Sequence, residues 1–411
     1  MAKSTDIPAF GPLQGVKVIS SGTSYAGPFA GILMAEMGAN VIKMESTKAP
    51  DLLRGSVMTF VDNRNQRDIA LDIATPEGKE IFLKMLEDTD ILIESSKGGS
   101  YDKMGLSDEV LWGVNKKLVI VHVSAYGQKG DPGYVKKAGL DGVAQAFSGY
   151  MYWNGEPEKP MRVKPYTADM ICAQFATWSA LAALYRAEKT GVGDSIDLAQ
   201  FEALLRLQSQ YNLAYWNDGQ LWPRAGNKEY PFAGCDVFRC KDGVDVMLVI
   251  MGHAIWQRAI KLLGLDTDPD FQYPEGHRIS LRSSNPDGAK FEKALTDFCA
   301  AHNSDEVQRI MDENQLPCSQ IFSPQMMLDH PHYKARNTII SYYDDYAKRD
   351  IKTYNVIPQF KNNPCQVWCG APDYGKDSDD ILEEIGYAKN EVNTLLEKGV
   401  IRKGPAFKNL A

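Results

Sequence analysis

The chain has 411 residues, of which 44% are apolar and 24% charged, and these ordinary globular values argue against intrinsic disorder. Its length is sufficient for two domains with sizeable cores. The formal net charge of −8 disfavours nucleic acid or an anionic membrane as a partner, so an anionic ligand would need a local basic patch.

The sequence indicates neither a targeting segment nor a metal site. Residues 1–15 lack an apolar core of signal-peptide length, and no stretch approaches the roughly 18 apolar residues of a membrane-spanning helix. Seven cysteines are sparse for this length and show no zinc-ribbon spacing. We therefore expect a cytoplasmic protein with reduced thiols and predict that it binds no metal.

In the first half of the chain, short apolar strands alternate with helices of about ten to fifteen residues. The predicted strands are 16–20, 41–44, 69–73, 91–93 and 118–123, and the helices between them include 27–37 and 76–88. This alternation predicts an α/β domain with a doubly wound parallel sheet. The first turn, 22–28, has neither the G-x-G-x-x-G spacing nor a P-loop lysine, so it carries no nucleotide signature.

Beyond Tyr211 the pattern indicates a smaller α+β domain. Strands are predicted at 244–251 and near 318–322, and helices at 290–301 and 305–313. The tail from Asn337 is expected to return to the first domain. We predict a large domain made of 1–222 and 336–411, and a small domain made of 223–335.

A long helix is predicted after Pro165, and Gly191 is its C-terminal signal. Its larger apolar side chains recur at spacings of three and four residues, at Ile171, Phe175, Trp178, Leu181 and Tyr185. Because the helix is apolar on all sides, we predict that it is buried. Asp169 lies in its first turn, where the N–H groups and the helix dipole favour an anion. Position alone leaves open whether Asp169 caps the helix or faces a substrate.

Motifs along the whole chain bear on that choice. They include GANVIKME at 38–45, LDIATPEGK at 71–79, LVIVHVSAYGQKG at 118–130, DGVAQAFSGYMYWNGEPEKP at 141–160, the segment around Asp169, and the closing 372–387. In order and spacing the motifs resemble the family III CoA-transferases, the formyl-CoA/carnitine CoA-transferase group. They are most similar to its carnitine CoA-transferase branch.

The resemblance implies that Asp169 is the catalytic nucleophile. It also implies a homodimer of two interlocked chains, with acyl-CoA and a small carboxylic acid as ligands. Contacts with CoA are implied at residues from several segments, namely Tyr25, Ala26, Leu71, Lys97, Lys103 and Lys137. Lys103 stands where the family usually has arginine, so a bidentate fork becomes a point charge.

The implied reaction is CoA transfer without hydrolysis. The carboxylate of Asp169 attacks the acyl carbon of a thioester, which gives a mixed anhydride and CoA thiolate, and the thiolate then forms an aspartyl-CoA thioester. The acceptor acid repeats these steps in reverse. Water has to be excluded because each intermediate is an activated acyl group. Backbone N–H groups at the start of the helix are expected to stabilise the oxyanions.

Two alternative functions stay open. The 2-methylacyl-CoA racemases of the same superfamily have a proton-carrying histidine in an Ala-Gly-His-Asp segment, but here Leu140 takes its place and cannot carry a proton. His122 lies within a strand and is predicted to be a hydrogen-bonded core residue. A non-catalytic CoA-binding protein is the other alternative, and the intact motif around Asp169 weighs against it.

The acceptor acid is also open. Carnitine- or crotonobetaine-like acids are predicted first, and transfer to a 2-hydroxy acid from its enoyl-CoA is the alternative. Oxalate is disfavoured because 250–253 reads Ile-Met-Gly-His where the formyl-CoA:oxalate branch has consecutive glycines. Four aromatic residues are either a cage for a quaternary ammonium or part of the core, namely Trp153, Tyr166, Trp178 and Tyr211.

Overall fold

The fold is that of a computed structural model, which describes residues 7–344 and 346–404. Two compact units make up the chain. The first consists of the segment that ends at Tyr150, Val163–Gln208 and the segment that begins at Pro331. The second consists of Met151–Arg162 and Ser209–His330. Residues 1–6 and 405–411 of the predicted large domain lie outside the described residues.

The strands and helices follow one another along both units. In chain order the strands are β1 (Lys17–Ser21), β2 (Asn40–Glu45), β3 (Arg67–Leu71), β4 (Ile91–Glu94), β5 (Val119–Ser124), β6 (Gly155–Glu156), β7 (Lys159–Pro160), β8 (Ser195–Ala199), β9 (Cys235–Arg239), β10 (Asp245–Val249), β11 (Cys318–Gln320), β12 (Ile339–Asp344), β13 (Arg349–Tyr354) and β14 (Ile401–Arg402). The helices are α1 (Pro28–Glu36), α2 (Thr59–Asp62), α3 (Pro76–Leu86), α4 (Ser100–Lys103), α5 (Asp108–Val114), α6 (Pro132–Val135), α7 (Asp141–Phe147), α8 (Tyr150–Trp153), α9 (Thr167–Thr190), α10 (Gln200–Arg206), α11 (Ser209–Asp218), α12 (His253–Leu262), α13 (Pro286–Ala301), α14 (Ser304–Glu313), α15 (Pro324–Asp329), α16 (Pro331–Ala335), α17 (Ser378–Glu384) and α18 (Lys389–Glu397).

The predicted doubly wound α/β sheet is confirmed in the first unit. Its seven strands lie in the order β14-β3-β2-β1-β4-β5-β8. The pairs from β3 to β8 are all parallel, and only the edge strand β14 pairs antiparallel, with β3. The strand order reverses its direction between β1 and β4, and an open α/β sheet binds its ligands outside the carboxyl ends of the strands at such a point.

Apolar side chains of the central strands alternate between two cores. Ile19, Leu92 and Ile120 point into the core that contains residues of α3, α5, α17 and α18. Ile91 and Val121 point into the core that contains residues of α1, α9 and α10. Because successive side chains of a strand face opposite sides of the sheet, both faces are covered by helices, which explains the nearly continuous apolar runs in the sequence.

Helix α9 is not buried on all sides, so that prediction is wrong. Its buried face consists mainly of small side chains, among them Ala168, Cys172, Ala173, Ala176, Ala180 and Ala187. Trp178 is 57% exposed and Tyr185 62% exposed on another face, and Phe175 is only partly buried. Small side chains allow α9 to pack closely against α1 and β5. Of the large side chains that mark the helical period, Ile171, Phe175 and Leu181 are partly buried against this core, whereas Trp178 and Tyr185 lie away from it.

The second unit has its own core around the antiparallel sheet β11-β10-β9. Its boundaries differ from the predicted ones, because 151–162 and 209–222 lie in this unit and 331–335 in the first. Contacts with residues after 222 account for the difference: Arg224 donates to the carbonyls of Glu156 and Pro157 at 2.7 and 2.9 Å, and Trp222 packs against Tyr230. Trp153 donates from Nε1 to Asn212 Oδ1 at 3.1 Å, and the ring of Tyr211 packs against both Trp153 and Trp222.

Candidate active site

Asp169 lies in the first turn of α9 and is 7% exposed. The helix begins after Tyr166, whose backbone is left-handed with φ 32° and ψ 50°. That turn of the chain places Asp169 at the third helical position, where main-chain N–H groups have no partner within the helix. An anionic side chain is favoured there by the helix dipole.

The side chain of Asp141 caps α9 from outside the helix. Its Oδ1 accepts from the Ala168 N–H at 2.7 Å and from the Asp169 N–H at 3.4 Å, while its Oδ2 accepts from Gln145 Nε2 at 2.9 Å. The Met170 N–H donates to the Tyr166 carbonyl at 3.0 Å. These three N–H groups already have acceptors, and the stabilisation of an oxyanion by N–H groups at the start of the helix stays a prediction.

Gln200 contacts the carboxylate of Asp169 directly. It is the first residue of α10, immediately after β8, and its Nε2 donates to Asp169 Oδ1 at 2.5 Å. The two residues are 31 positions apart in the chain. The parallel pairing of β8 with β5 brings the end of β8 to the same sheet edge as the ends of β1, β4 and β5.

A cavity of about 430 Å³ lies at this edge. It is lined by residues that follow β1, β4, β5 and β8, together with Asp169, and they include Ser24, Ser95, Ser124 and Gln200. The Oγ atom of Ser95 is buried and has no hydrogen-bond partner among the described residues. A Cβ atom at Gly22 would lie 2.1 Å from Ser95 Oγ, so a larger residue there would force the Ser95 side chain to move.

Three of the predicted CoA contacts line the cavity, namely Ala26, Lys97 and Lys137. Lys97 and Lys137 are exposed, and Lys137 Nζ lies 3.6 Å from the centre of the Tyr134 ring. Lys103 is exposed at the end of α4 and is not among the lining residues. Leu71 is 2% exposed within the core around α3, so its side chain offers a ligand almost no surface. The resemblance alone supports these last two contacts.

Tyr25 is buried, and its ring lies 5.0 Å from the ring of Tyr166, centre to centre. Burial and the neighbouring carboxylate of Asp62 raise the pKa of Tyr25 well above its usual value, so the phenol stays protonated. Burial also raises the pKa of Asp62 to about 7, although the hydrogen bond from Tyr25 and the charge of Lys43 oppose this. Tyr25 is thus fixed next to the residue that precedes α9.

His122 is a hydrogen-bonded core residue, as predicted. Its Nδ1 lies 2.7 Å from Glu94 Oε1 and its Nε2 lies 2.9 Å from Asp108 Oδ1. Burial lowers the pKa of His122, but the hydrogen bonds and charges of the two carboxylates outweigh burial and raise it to about 9. Glu94 Oε2 also accepts from the Ser96 N–H at 2.8 Å, which fixes the start of the loop that carries Lys97.

The segment 138–141 has two separate roles around the cavity. Ala138, Gly139 and Leu140 line it, and Asp141 caps α9. Leucine therefore faces the cavity where racemases of the resembling superfamily would have histidine. Within the described residues, no cluster of three or more His, Cys, Asp or Glu side chains is suited to hold a metal ion. In the same part of the chain, no helix is long and apolar enough to span a membrane.

The aromatic residues considered for a quaternary ammonium cage are divided between the units. Trp153 and Tyr211 pack together in the second unit, with ring centres 5.2 Å apart. Tyr166 packs against Tyr25 in the first unit, and Trp178 packs against Phe175 on the exposed side of α9. Neither unit by itself contains a cage of all four.

The buried carboxylate, the cavity at the strand ends and the doubly wound sheet define an α/β enzyme with a ligand site in its first unit. The chain matches CoA-transferase family III over residues 13–378 and belongs to that family. It is 40% identical over 396 residues to the bile acid CoA-transferase BaiK of Clostridium scindens, covering 96% of this chain and 90% of the relative. It is 38% identical over 407 residues to the L-carnitine CoA-transferase of Proteus mirabilis, covering 98% of this chain and 99% of the relative.

Solved structures share the fold. A CAIB/BAIF family protein from Brucella suis superposes with a TM-score of 0.77 at 23% identity, over 92% of this chain and 100% of that one. The protein Rv3272 of Mycobacterium tuberculosis gives a TM-score of 0.77 at 22% identity, over 90% and 99%. At these identities the likeness describes the architecture, a mixed α/β fold with a large parallel sheet.

Two residues of the site were not predicted from the sequence. Asp141 belongs to a quoted motif, but it attracted attention only through its neighbour Leu140. Gln200 is a single glutamine directly after β8 and has no motif around it. The sequence signals that could have identified them are weak. Asp141 lies near the start of a helix, and Gln200 directly follows a strand.

Proposed function

We propose that the protein moves CoA from an acyl-CoA to a carboxylic acid, with Asp169 as the nucleophile. The observation that carries this proposal is the placement of Asp169. Its carboxylate is nearly buried at the start of α9, lines the cavity at the strand ends, and accepts a hydrogen bond from Gln200. Such a carboxylate is held in one orientation and is shielded from bulk water, as acyl transfer without hydrolysis requires.

The first two steps transfer the acyl group and then CoA to the enzyme. An oxygen of Asp169 forms a bond to the thioester carbon while the carbon–sulfur bond breaks, which gives a mixed anhydride and CoA thiolate. The thiolate sulfur then bonds to Asp169 Cγ, the bond from Cγ to the bridging oxygen breaks, and the donor acid leaves as a carboxylate. The product is an aspartyl-CoA thioester.

The acceptor acid completes the cycle. Its carboxylate oxygen bonds to Asp169 Cγ and expels the thiolate, which forms a second mixed anhydride. The thiolate then attacks the acceptor's acyl carbon, and the Asp169 carboxylate is released. No net proton transfer is needed, which agrees with the absence of histidine from the described residues that line the cavity.

We assign the anionic parts of CoA to Lys97 and Lys137, because both are exposed cations at the rim of the cavity. Ala26 lines the same cavity, and Tyr25 fixes the adjoining turn. Contacts from Lys103 and Leu71 remain proposals from the family resemblance.

Replacing Asp169 with alanine tests the mechanism. We expect transfer to be lost while acyl-CoA still binds, because the substitution removes the nucleophile and none of the cations. In the wild type, incubation with acyl-CoA followed by hydroxylamine should leave a hydroxamate on Asp169, measured by mass spectrometry. An alanine variant that transfers CoA at the wild-type rate would falsify the proposal.

For the acceptor we propose a carnitine- or crotonobetaine-like acid. The L-carnitine CoA-transferase relative supports it, and the bile acid CoA-transferase relative supports a bile acid as a second candidate to a similar degree. Transfer to a 2-hydroxy acid is a third candidate. An assay of CoA release against carnitine, crotonobetaine, a bile acid, 2-hydroxyisocaproate and oxalate identifies the acceptor, and α-deuterium exchange without transfer would indicate a racemase instead.

We further propose that the protein is a homodimer and that it acts in the cytoplasm. The exposed aromatic face of α9, with Trp178 and Tyr185, supports an association of two copies, because large exposed apolar patches commonly mark protein interfaces. The cytoplasmic location is supported by the sequence alone.

A further inference from the structure

The structure shows that the side chain of Gln200 contacts the proposed nucleophile, Asp169. It is 5% exposed, so its amide is almost shielded from solvent where it donates to Asp169 Oδ1. Both residues line the same cavity. A neutral amide that donates to a carboxylate in such surroundings stabilises negative charge on that particular oxygen.

We propose that Gln200 is a catalytic residue, whose amide N–H stabilises the oxyanion that forms at Asp169 Cγ. This inference rests on the proposed role of Asp169 as the nucleophile. It extends the proposed function by identifying a hydrogen-bond donor to Oδ1 in the steps in which Asp169 Cγ is attacked.

The order of bond changes explains why the contacted oxygen matters. The oxygen that accepts from Gln200 is the weaker nucleophile, so the other carboxylate oxygen forms the bond to the acyl carbon. Oδ1 then becomes the carbonyl oxygen of the aspartyl group. When CoA thiolate adds to Cγ, the C=O electron pair moves onto Oδ1, and it returns as the bond to the bridging oxygen breaks. The acceptor carboxylate repeats this addition at Cγ and expels the thiolate.

The nearest backbone donors are already used. The N–H groups of Ala168 and Asp169 donate to Asp141, and that of Met170 donates to the Tyr166 carbonyl. Gln200 Nε2 already donates to Oδ1 before the reaction begins. A preorganised donor of this kind contributes about 10²–10³-fold to the rate of a step that builds charge on its acceptor.

Two variants test the proposal. Gln200→Met has a side chain of similar length without a donor, and Gln200→Leu is a shorter apolar side chain that also lacks one. Rapid-quench mass spectrometry after mixing with acyl-CoA gives the rate of acylation of Asp169, and a steady-state assay gives the turnover. A matched control is Gln208→Met, because Gln208 is also a buried glutamine and its Nε2 donates to the Ser148 carbonyl at 2.7 Å, away from Asp169.

We expect both Gln200 variants to lower kcat by about 10²–10³-fold, and the KM for acyl-CoA to fall with kcat because a covalent intermediate accumulates. The acyl adduct on Asp169 should still form at nearly the wild-type rate and should accumulate, because only the steps at Cγ are slowed. Gln208→Met should reduce stability but keep kcat. The proposal is overturned if acylation and turnover fall together, which indicates a structural role, or if turnover is unchanged. A wild-type enzyme without any adduct on Asp169 would overturn the proposed function and this inference together.

Discussion

Replacing Asp141 with alanine tests whether this side chain positions the nucleophile. The substitution removes the acceptor of the Ala168 N–H and of the Gln145 amide, and both donors stay buried. A hydrogen bond to a charged group contributes about 1.5–3 kcal/mol, and a lost helix cap costs about 0.5–2 kcal/mol. Part of this loss of stability is offset, because the variant no longer has to bury a carboxylate when it folds. We expect the free energy of unfolding to fall by about 2–4 kcal/mol.

The same substitution should reduce activity more than substrate binding. Without Asp141, the first turn of α9 loses the hydrogen bonds that join it to the start of α7, and Asp169 is held less firmly beside the bound thioester. A displacement of about 1 Å in a reacting group costs on the order of 10²-fold in rate. We therefore expect kcat to fall by roughly that factor while the KM for acyl-CoA changes little, since Lys97 and Lys137 are untouched.

Asp141→Asn is the matched control. Gln145 cannot turn its amide over, because its Oε1 accepts from the Val163 N–H and its Nε2 donates to the Val163 carbonyl, each at 2.9 Å. An asparagine at 141 that still accepts from the Ala168 N–H would direct its own amide group towards the Gln145 donor. An intermediate loss of about 1–2 kcal/mol is expected.

Urea unfolding followed by circular dichroism measures the stability of each variant, and steady-state transfer assays measure kcat and KM. Wild-type stability and wild-type kcat in Asp141→Ala would refute the reasoning. A loss of stability without a loss of kcat would show that Asp141 caps α9 but does not position Asp169.

Two further predictions concern pH and assembly. The pKa of His122 is raised to about 9 from 6.5, so its charge contributes on the order of 2–3 kcal/mol of stability below pH 6.5, and this contribution is lost as pH rises through about 9. The urea midpoint of the wild type should therefore fall between these pH values. An equal fall in His122→Asn would contradict the assignment. Trp178→Glu should halve the mass measured by sedimentation velocity, because a charge on the exposed face of α9 disfavours association. Val110→Glu, on α5 at the other side of the sheet, is its control, and an unchanged mass in the Trp178 variant would exclude α9 from the interface.

Local signals predicted much of the fold. The strands around 16–20, 91–93 and 118–123 and the helices after Thr75 and Pro165 lie close to their predicted positions. Their periodicities and end signals depend on residues that are only a few positions apart, so a single sequence contains the necessary information. The long helix ends at Gly191, which has a left-handed backbone with φ 73°.

The orientation of that helix could not be predicted in the same way. The large apolar residues have a clear helical period, but the small residues between them form the closer contact with α1 and β5. Both faces are apolar, so the sequence does not distinguish them. Only the space available beside the sheet determines which face packs against it, and this leaves Trp178 exposed.

The sequence by itself therefore determined the alternation of strands and helices, the bounds of α9 and the position of Asp169 in its first turn. Tertiary structure alone determined that Asp141 accepts from that turn and that Gln200 donates to the carboxylate. The physical reason is that both contacts join segments far apart in the chain. The Gln200 contact forms because β8 pairs with β5, and no property of either strand alone specifies that pairing.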